Sequence, residues 1–264
     1  MVQANIWDGI GTLVCDLDGV VYLGDDGIVG SGSALSTVEA AGVELLFVTN
    51  NSTKTPAEVA QKIAATTGYP ADPEKVVTSA QVTASRLSGQ VATAFVVGGR
   101  AIDEALGDVG IAVTDSWEIA EAVVVGLDRG FTYSKLADAT RAVRNGALFY
   151  ATNTDSTYPT PDGLLPGGGV MVGAVQIATD VVPVVSGKPE PAMQEFIAAR
   201  AAGSVLVVGD RPETDVALAI AAGWASALVL TGVTKSLEEI PVEYGPSVVV
   251  GALEDLVALI GPAR

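Results

Sequence analysis

Two carboxylates follow directly on a short apolar run near the beginning of the chain. Asp16 and Asp18 come after the run Thr12–Cys15, and Gly19 marks a break in the extended segment. Because side chains at positions i and i+2 of a strand leave on the same face, both acids can point into one crevice at the carboxyl end of a buried strand. Carboxylates in such a crevice can transfer protons or bind a hard cation. The pair alone does not separate these roles from an ordinary turn, since aspartate is common where a strand breaks.

Three further groups of polar residues each follow a short apolar run typical of a strand buried on both faces. The carboxyl ends of parallel strands meet at one edge of a sheet. Four strand ends would therefore bring together the first acid pair, a hydroxyl group, a cation and a second acid pair. The three groups are Thr49, Asn50 and Asn51; Lys188; and Asp210 and Asp215.

This constellation resembles the haloacid dehalogenase superfamily of aspartate-nucleophile phosphohydrolases, from Asp16 to about Gly232, and all four motifs of that superfamily are matched. The second motif, Thr49–Ser52, and the long segment before Lys188 resemble subfamily IIA, which contains nitrophenyl-phosphatases, NagD-type phosphatases and pyridoxal-phosphate phosphatases. The resemblance implies a magnesium-dependent phosphatase that hydrolyses small phosphomonoester metabolites.

The resemblance also implies roles for individual residues. Asp16 would be the nucleophile that forms an aspartyl-phosphate, and Asp18 would protonate the leaving oxygen and then activate water. Asp18 argues against a dehalogenase, because dehalogenases of the superfamily lack the second acid. Phosphomutases share the motifs but are less common among proteins with this kind of insert. The phosphoryl group would be bound by Thr49, Asn50, Asn51 and Lys188. Lys188 would also be a catalytic residue that offsets the negative charge of Asp16 and of the phosphate.

Oxygen ligands without histidine or thiolate favour Mg²⁺ over softer metals, and the chain has 0 histidines. Carried over from the superfamily, the metal ligands would be Asp16, the backbone carbonyl of Asp18, and Asp210. Asp215 is expected beside the metal, where it would hold a bound water or orient Lys188. Direct binding of the metal by Asp215 stays open.

The apolar runs before these residues predict an α/β fold with a Rossmann-like, doubly wound parallel sheet. Thr55–Glu58 matches a capping box with proline at the first helical position, which predicts a helix from there to about Thr66. Residues 20–23 and 28–29 predict a small hairpin directly after the two acids. The core strands are expected over residues 12–16, 44–49, 205–209 and 226–230.

The segment between Thr49 and Lys188 is far longer than a connecting loop needs and holds strand-like runs of its own. We therefore predict an inserted α/β cap domain over residues 80–182. Residues 1–79 and 183–264 would form the catalytic core. The strand-like runs of the insert are Phe95–Val97, Val123–Val125 and Leu148–Tyr150.

Substrate specificity is expected to come from the cap, because the four motifs contact only the phosphoryl group. Asn153, Asp155 and Arg129 follow strand-like runs and are candidates for binding the non-phosphate part of the substrate. Glycerol phosphate, phosphoglycolate, sugar phosphates, nucleotides and pyridoxal phosphate are all substrates within the subfamily. Gly167–Gly169 lacks the spacing of a phosphate-binding loop and is predicted to be a flexible loop.

Composition excludes several classes of function. The formal net charge of −17 makes nucleic acids and acidic membranes poor partners. The absence of histidine excludes Ser-His-Asp and Cys-His catalysis. One cysteine, and no basic and apolar leader in the first 11 residues, predict a cytoplasmic protein. The uncharged stretch 216–234 is expected to be a helix, a turn and a strand rather than a membrane span.

Two alternatives from other classes remain. One is a catalytically silent phosphometabolite-binding or regulatory protein on the same fold, against which the four intact motifs argue. The other is a receiver-like domain that only accepts phosphate on aspartate, for which the insert and the motif from Gly209 to Asp215 are unnecessary. A homodimer formed through cap surfaces stays open.

Overall fold

The computed structural model describes residues 5–160 and 163–260. Residues 1–4, at the start of the segment used to predict the cytoplasmic location, lie outside the described residues. The chain forms two compact units. The first unit comprises the residues through Thr49, Pro56–Val77 and the residues from Gln194 onward. The second unit comprises Asn50–Thr55 and Thr78–Met193.

The strands, in chain order, are β1 (Ile10–Cys15), β2 (Tyr22–Leu23), β3 (Asp26–Gly27), β4 (Glu44–Thr49), β5 (Val76–Thr78), β6 (Thr93–Val97), β7 (Ala112–Val113), β8 (Ala122–Val125), β9 (Leu148–Ala151), β10 (Thr157–Thr160), β11 (Gly163–Pro166), β12 (Val184–Val185), β13 (Ser204–Gly209), β14 (Ala225–Val229) and β15 (Val248–Val250). The α-helices are α1 (Ser31–Ala40), α2 (Pro56–Thr67), α3 (Ser79–Leu87), α4 (Arg100–Asp108), α5 (Tyr133–Arg144), α6 (Gly168–Thr179), α7 (Pro191–Ala198), α8 (Ala217–Ala222) and α9 (Leu253–Val257). Pro73–Lys75 and Leu237–Glu239 form 3₁₀ turns, and Pro212–Val216 forms a π-helical turn.

The first unit is built on a six-stranded sheet in the order β15-β14-β13-β1-β4-β5. Strand β1 pairs in parallel with β13 on one side and with β4 on the other. The chain order therefore reverses at β1, which makes the carboxyl end of β1 the point where α/β sheets bind ligands. The predicted α/β class with a doubly wound parallel sheet is confirmed.

The strand register brings the predicted polar residues to one edge of this sheet. Cys15 at the end of β1 is level with Val208 of β13 and with Phe47 of β4. Asp16 and Asp210 follow these positions by one and two residues, so both leave the sheet at its carboxyl edge. The side chains of Leu13 and Cys15 are fully buried. Burial on both faces explains the continuous apolar runs in the sequence.

The elements predicted for the core agree closely with the structure. The four predicted strands are β1, β4, β13 and β14, and the helix predicted from the capping box is α2. The predicted hairpin is formed by β2 and β3, which pair antiparallel. Its second strand comes earlier than predicted, because the turn consists of only Gly24 and Asp25. Gly24 has φ +56°, a conformation that tight hairpin turns require and glycine adopts readily.

The second unit has a five-stranded sheet in the order β12-β9-β8-β6-β7, and its neighbouring strands pair in parallel. Its three predicted strand-like runs lie in β6, β8 and β9. Successive residues of β8 alternate between two apolar clusters, since Val123 and Val125 pack on one face and Val124 on the other. Strands β10 and β11 form a separate antiparallel pair.

The prediction of a flexible loop at Gly167–Gly169 is wrong. Gly167 caps α6, and Gly168 and Gly169 begin this helix. A Cβ atom on Gly167 would lie 2.2 Å from the carbonyl oxygen of Asp155, and one on Gly169 would lie 2.3 Å from that of Thr154. The glycines are therefore required by the close approach of another backbone segment, and this tertiary contact outweighs the poor helix propensity of glycine.

The uncharged stretch 216–234 forms the predicted helix, turn and strand. Helix α8 ends at Ala222 and is capped by Gly223, which has φ +70°, and β14 follows. Over residues 5–160 and 163–260, no helix combines the length and the apolar composition that crossing a membrane requires.

Candidate active site

Three carboxylates meet at the carboxyl edge of the sheet in the first unit. One oxygen from each of Asp16, Asp210 and Asp215 lies within 4.8 Å of the other two. All three residues are buried, with 8%, 1% and 2% of their surface exposed, respectively. Three buried like charges at this separation repel one another strongly unless a cation or protons offset them.

The π-helical turn after β13 returns Asp215 to this cluster. The backbone N–H of Arg211 donates a 3.1 Å hydrogen bond to Oδ2 of Asp215, and the N–H of Asp215 donates to the carbonyl of Arg211 at 2.9 Å. A Cβ atom on Gly209 would lie 2.1 Å from Cγ of Asp215. Glycine is therefore needed at position 209 for Asp215 to approach the end of β13.

Two further glycines leave room for the carboxylate of Asp210. Cβ atoms on Gly19 and Gly232 would lie 2.5 Å and 1.9 Å from Oδ2 of Asp210. The same oxygen accepts a hydrogen bond from the backbone N–H of Val233. The loops after β1 and β14 therefore close around Asp210 and orient its side chain.

The chemistry of this cluster fits a hard divalent cation. Its side-chain donors are carboxylate oxygens, which suit Mg²⁺, and the cation would offset the repulsion between them. The structure thus brings together three of the four residues that were predicted to surround the metal.

Asp18 is the fourth residue that was predicted to surround the metal. It lies in a tight loop between β1 and β2 and is partly exposed. Its backbone forms a β-bridge with Tyr22, and the N–H of Gly19 donates to the carbonyl of Tyr22 at 2.8 Å. Tyr22 is buried. Burial raises the pKa of its hydroxyl, and the carboxylates of Asp18 and Asp16 raise that pKa further. The loop therefore places a neutral aromatic residue close to the two acids.

In the second unit, Asn50 is paired with the main chain of Lys188. The backbone N–H of Lys188 donates a 2.7 Å hydrogen bond to Oδ1 of Asn50, and Nδ2 of Asn50 donates to the carbonyl of Lys188 at 3.2 Å. Lys188 is only 6% exposed. A Cβ atom on Gly187 would lie 2.6 Å from Oδ1 of Asn50. Glycine before Lys188 therefore permits this pairing.

The other two residues predicted to bind phosphate differ in their surroundings. Thr49 is the last residue of β4 and is buried. Asn51 is exposed, and its side-chain oxygen accepts hydrogen bonds from the N–H and the hydroxyl of Thr53 at 2.9 and 2.7 Å. Asn51 therefore stabilises the turn that leads toward α2.

Asn153 supports Asn50 from a neighbouring loop. Its Nδ2 donates a 2.7 Å hydrogen bond to the carbonyl of Asn50, which also accepts from the hydroxyl of Ser79 at 2.7 Å. The hydroxyls of Thr152 and Ser52 are 3.0 Å apart. Sequence reasoning missed the supporting roles of these three hydroxyl residues. The local signal for Ser52 was its place as the last residue of the second motif.

Asp155 and Arg129 are more accessible than Asn153. Nδ2 of Asn50 donates weakly to the carboxylate of Asp155, at 3.4 and 3.5 Å. Arg129 is exposed and lines a groove of about 670 Å³ together with Phe131 and Tyr158. Its neighbour Asp128 is paired with Lys135 at 2.6 Å. This ion pair neutralises Asp128 and leaves Arg129 to set the charge of the groove.

Comparison with known proteins agrees with this geometry. The family model described as haloacid dehalogenase-like hydrolase matches residues 13–112, and the model described as HAD-hydrolase-like matches residues 185–256. An acid sugar phosphatase from Staphylococcus haemolyticus is 42% identical over 224 residues, which cover 83% of this chain and 84% of that protein.

Two solved structures are similar over nearly the whole chain. A glycerol phosphate phosphatase from Mycobacterium tuberculosis in complex with magnesium is 39% identical, with a TM-score of 0.86 over 96% of this chain and 78% of that one. A p-nitrophenyl phosphatase from Archaeoglobus fulgidus is 29% identical, with a TM-score of 0.87 over 96% of this chain and 100% of that one.

These similarities confirm the predicted class of enzyme, a phosphoric monoester hydrolase. They also confirm the resemblance to subfamily IIA that the second motif and the long insert indicated. The chain belongs to the haloacid dehalogenase-like hydrolase family.

Proposed function

We propose that this protein is a magnesium-dependent phosphatase that hydrolyses small phosphomonoester metabolites through an aspartyl-phosphate on Asp16. The observation that carries the proposal is the buried cluster of Asp16, Asp210 and Asp215 at the carboxyl edge of the parallel sheet. A nucleophilic carboxylate and a hard-cation site at one strand end are what phosphoryl transfer to aspartate requires.

In the first step, an oxygen of Asp16 attacks phosphorus, and the bond between phosphorus and the ester oxygen breaks. Asp18 donates its proton to the leaving oxygen, so that a neutral alcohol departs. In the second step, Asp18 accepts a proton from water, which attacks the phosphorus of the aspartyl-phosphate. Free phosphate leaves, and Asp16 is regenerated as a carboxylate.

The metal and the phosphate would be bound by separate groups. Asp16, the backbone carbonyl of Asp18 and Asp210 would hold Mg²⁺, with Asp215 beside it, and the bound cation would offset the negative charge of the reacting phosphoryl group. Thr49, Asn50, Asn51 and Lys188 would bind the phosphoryl oxygens. The pairing of Asn50 with the main chain of Lys188 supports this assignment, because it holds both residues in one arrangement.

We also propose that residues 1–79 and 183–264 act as the catalytic core and residues 80–182 as a specificity cap. The second unit contains residues 80–182 and has its own sheet, which supports the proposal in outline. The units differ from the proposed bounds, because the second unit also includes Asn50–Thr55 and residues 183–193. Asp155 and Arg129 would contact the non-phosphate part of the substrate. Asn153, a third candidate, is 5% exposed and would act by holding the main chain of Asn50.

The names of the relatives support a small phosphorylated sugar or polyol as the substrate class. A cytoplasmic location and exclusion of nucleic acids and membranes as partners stay part of the proposal. A catalytically silent phosphometabolite-binding protein gains no support from these relatives, all of which are named as phosphatases.

Phosphate release from p-nitrophenyl phosphate tests the function directly. Release is expected with Mg²⁺, and loss of release is expected with EDTA and in Asp16→Asn. If folded, Mg²⁺-loaded wild-type protein released no phosphate from this compound or from a panel of sugar and polyol phosphates, a binding role would replace the proposal. Accumulation of a stable acyl-phosphate would instead favour a receiver-like role.

The specificity assignment needs its own experiment. Asp155→Ala is expected to change the relative kcat/KM values among sugar, glycerol and nucleotide phosphates, because each presents different groups to the cap. An equal decrease for all substrates, or no change, would contradict a role of Asp155 in substrate selection.

A further inference from the structure

The hairpin that follows Asp18 is in contact with a lysine of helix α2. Nζ of Lys62 lies 4.0 Å from the centroid of the Tyr22 ring and 3.9 Å from Oδ1 of Asp25. The side chain of Lys62 is 17% exposed, whereas that of Asp25 is fully exposed. A partly desolvated ammonium group over an aromatic face gives a stronger attraction than an exposed ion pair. The contact with Tyr22 is therefore the more important of the two.

Tyr22 is in turn tied to the backbone on either side of Asp18. The carbonyl of Leu17 accepts a hydrogen bond from the N–H of Tyr22 at 3.3 Å, and the carbonyl of Tyr22 accepts one from the N–H of Gly19 at 2.8 Å. Asp18 and Tyr22 also form a β-bridge. A displacement of Tyr22 would therefore move the loop that carries the Asp18 carboxylate.

Other contacts hold the ends of the hairpin, whereas the Tyr22 ring and Asp25 both contact Lys62 in the middle of α2. A Cβ atom on Gly27 would lie 2.1 Å from the carbonyl oxygen of Thr66, so β3 lies directly against the end of α2. The hydroxyl of Ser31 donates to the carbonyl of Val21 at 2.9 Å and anchors the hairpin to α1. Lys62 lies one helical turn before Thr66, and its ammonium group contacts the face of the Tyr22 ring.

We infer that Lys62 is a positioning residue for Asp18, acting through the ring of Tyr22. Proton donation requires the carboxyl group of Asp18 to lie within hydrogen-bond reach of the leaving oxygen. Lys62 restrains the loop in that arrangement and makes no contact with the reacting atoms itself. The inference rests on the proposed function, because it assumes that Asp18 is the general acid.

Substrates with different leaving groups distinguish this role from a general structural one. An alkoxide such as that of glycerol 3-phosphate needs a proton in order to leave, whereas p-nitrophenolate is a weak base and leaves without one. Misplacement of the general acid should therefore selectively slow formation of the aspartyl-phosphate from the alkyl phosphate, which kcat/KM reports. The later attack of water, which also uses Asp18, is common to both substrates and does not enter kcat/KM. A loss of stability or of metal binding would slow both substrates alike.

The experiment measures kcat and KM for glycerol 3-phosphate and p-nitrophenyl phosphate in the full-length protein with saturating Mg²⁺. Lys62→Met keeps the apolar stem and removes the charge, and it is expected to lower kcat/KM for the alkyl phosphate by about tenfold. For p-nitrophenyl phosphate, kcat/KM is expected to fall by less than about twofold, because its leaving group needs no proton. Lys62→Arg should restore most of the alkyl phosphatase activity.

Two further variants test the path through the ring. Tyr22→Leu removes the aromatic face and should reproduce the selectivity of Lys62→Met, and the double variant should be no slower than either single one. Lys75→Met is the matched control, since Lys75 also belongs to the first unit and pairs only distantly, at 4.0 Å, with Glu44. It should leave both activities unchanged.

Asp18→Asn separates failure of the inference from failure of the proposed function. If Asp18→Asn lowers kcat/KM equally for both substrates, Asp18 is not the general acid of the first step, and the inference is overturned together with that part of the proposed function. If Asp18→Asn is selective for the alkyl phosphate but Lys62→Met and Tyr22→Leu slow both substrates equally, or neither, only the inference is overturned.

Discussion

The side-chain amide of Asn50 pairs with both main-chain groups of Lys188, accepting from its N–H at 2.7 Å and donating to its carbonyl at 3.2 Å. The two residues are 138 positions apart in the chain. Asn50 of the second motif thus fixes the backbone from which the side chain of Lys188 projects. The arrangement of these two groups is therefore a property of the folded chain and not of either loop alone.

Removing this amide is expected to weaken the protein measurably. Asn50→Ala would leave the buried N–H of Lys188 without its acceptor and should lower the free energy of unfolding by about 1–3 kcal/mol. Urea unfolding gives this value, and the inhibition constant of inorganic phosphate should rise in parallel. Asn145→Ala is the matched control for stability, because Asn145 is an exposed asparagine of the same unit and should change the free energy of unfolding by less than about 0.5 kcal/mol. Equal unfolding midpoints for Asn50→Ala and wild type would contradict the prediction.

The cluster of Asp16, Asp210 and Asp215 predicts that Asp16→Asn stabilises the metal-free protein but weakens its stabilisation by Mg²⁺. Asp16→Asn removes one of three buried negative charges that lie within 4.8 Å of one another, so it should raise the melting temperature in EDTA. It should also reduce the increase in melting temperature that Mg²⁺ produces, because binding to the folded state is weakened. Glu213→Gln removes an exposed charge from the same π-helical turn that carries Asp215 and should alter neither value. A wild-type melting temperature that does not respond to Mg²⁺ would argue against the site.

Substitution of alanine for two glycines of helix α6 should change the free energy of unfolding in opposite directions. A Cβ atom on Gly169 would lie 2.3 Å from the carbonyl oxygen of Thr154, so Gly169→Ala should lower the free energy of unfolding by about 1–3 kcal/mol. A Cβ atom on Gly173 would meet no atom within 4 Å, so Gly173→Ala should raise that free energy by about 0.5–1 kcal/mol. Chemical denaturation of both variants checks the pair. A stabilising Gly169→Ala would show that the loop at Thr154 can move away from the helix.

Alkaline pH should destabilise the protein partly through Tyr69. Burial, followed by the neighbouring Glu39 carboxylate, raises the pKa of Tyr69 from 10.0 to about 12. Between these values the unfolded chain has lost the proton that the folded protein retains, so the free energy of unfolding falls as the pH rises. The stabilisation that the raised pKa of Tyr69 provides is fully present below pH 10.0 and is lost as the pH approaches about 12.

Tyr69→Phe should therefore show a shallower loss of stability over this range than wild type. Urea unfolding at several pH values from about 9 to about 12 provides the comparison. Tyr133→Phe serves as the control, because Tyr133 is 85% exposed. Parallel stability curves for wild type and Tyr69→Phe would refute the assignment.

Short-range patterns in the sequence were sufficient to predict most of the elements. The apolar runs around Leu13, Phe47 and Leu206 became buried strands, and Thr55–Glu58 marked the beginning of α2. Such signals act over a few residues, which is why they can be read without the fold. Gly167–Gly169 was predicted incorrectly because the local preference of glycine against helix is outweighed by close packing against Thr154 and Asp155.

By itself, the sequence determined the order of the reactive residues along parallel strands and, through their resemblance to a known superfamily, the chemistry they could perform. Only the tertiary structure decided which of them meet. The closure of Asp215 onto Asp16 and Asp210, and the pairing of Asn50 with Lys188, depend on strand register, on a π-helical turn and on glycines that allow close approach. These contacts join residues far apart in the chain, and their geometry is set by packing of the whole sheet rather than by local propensity.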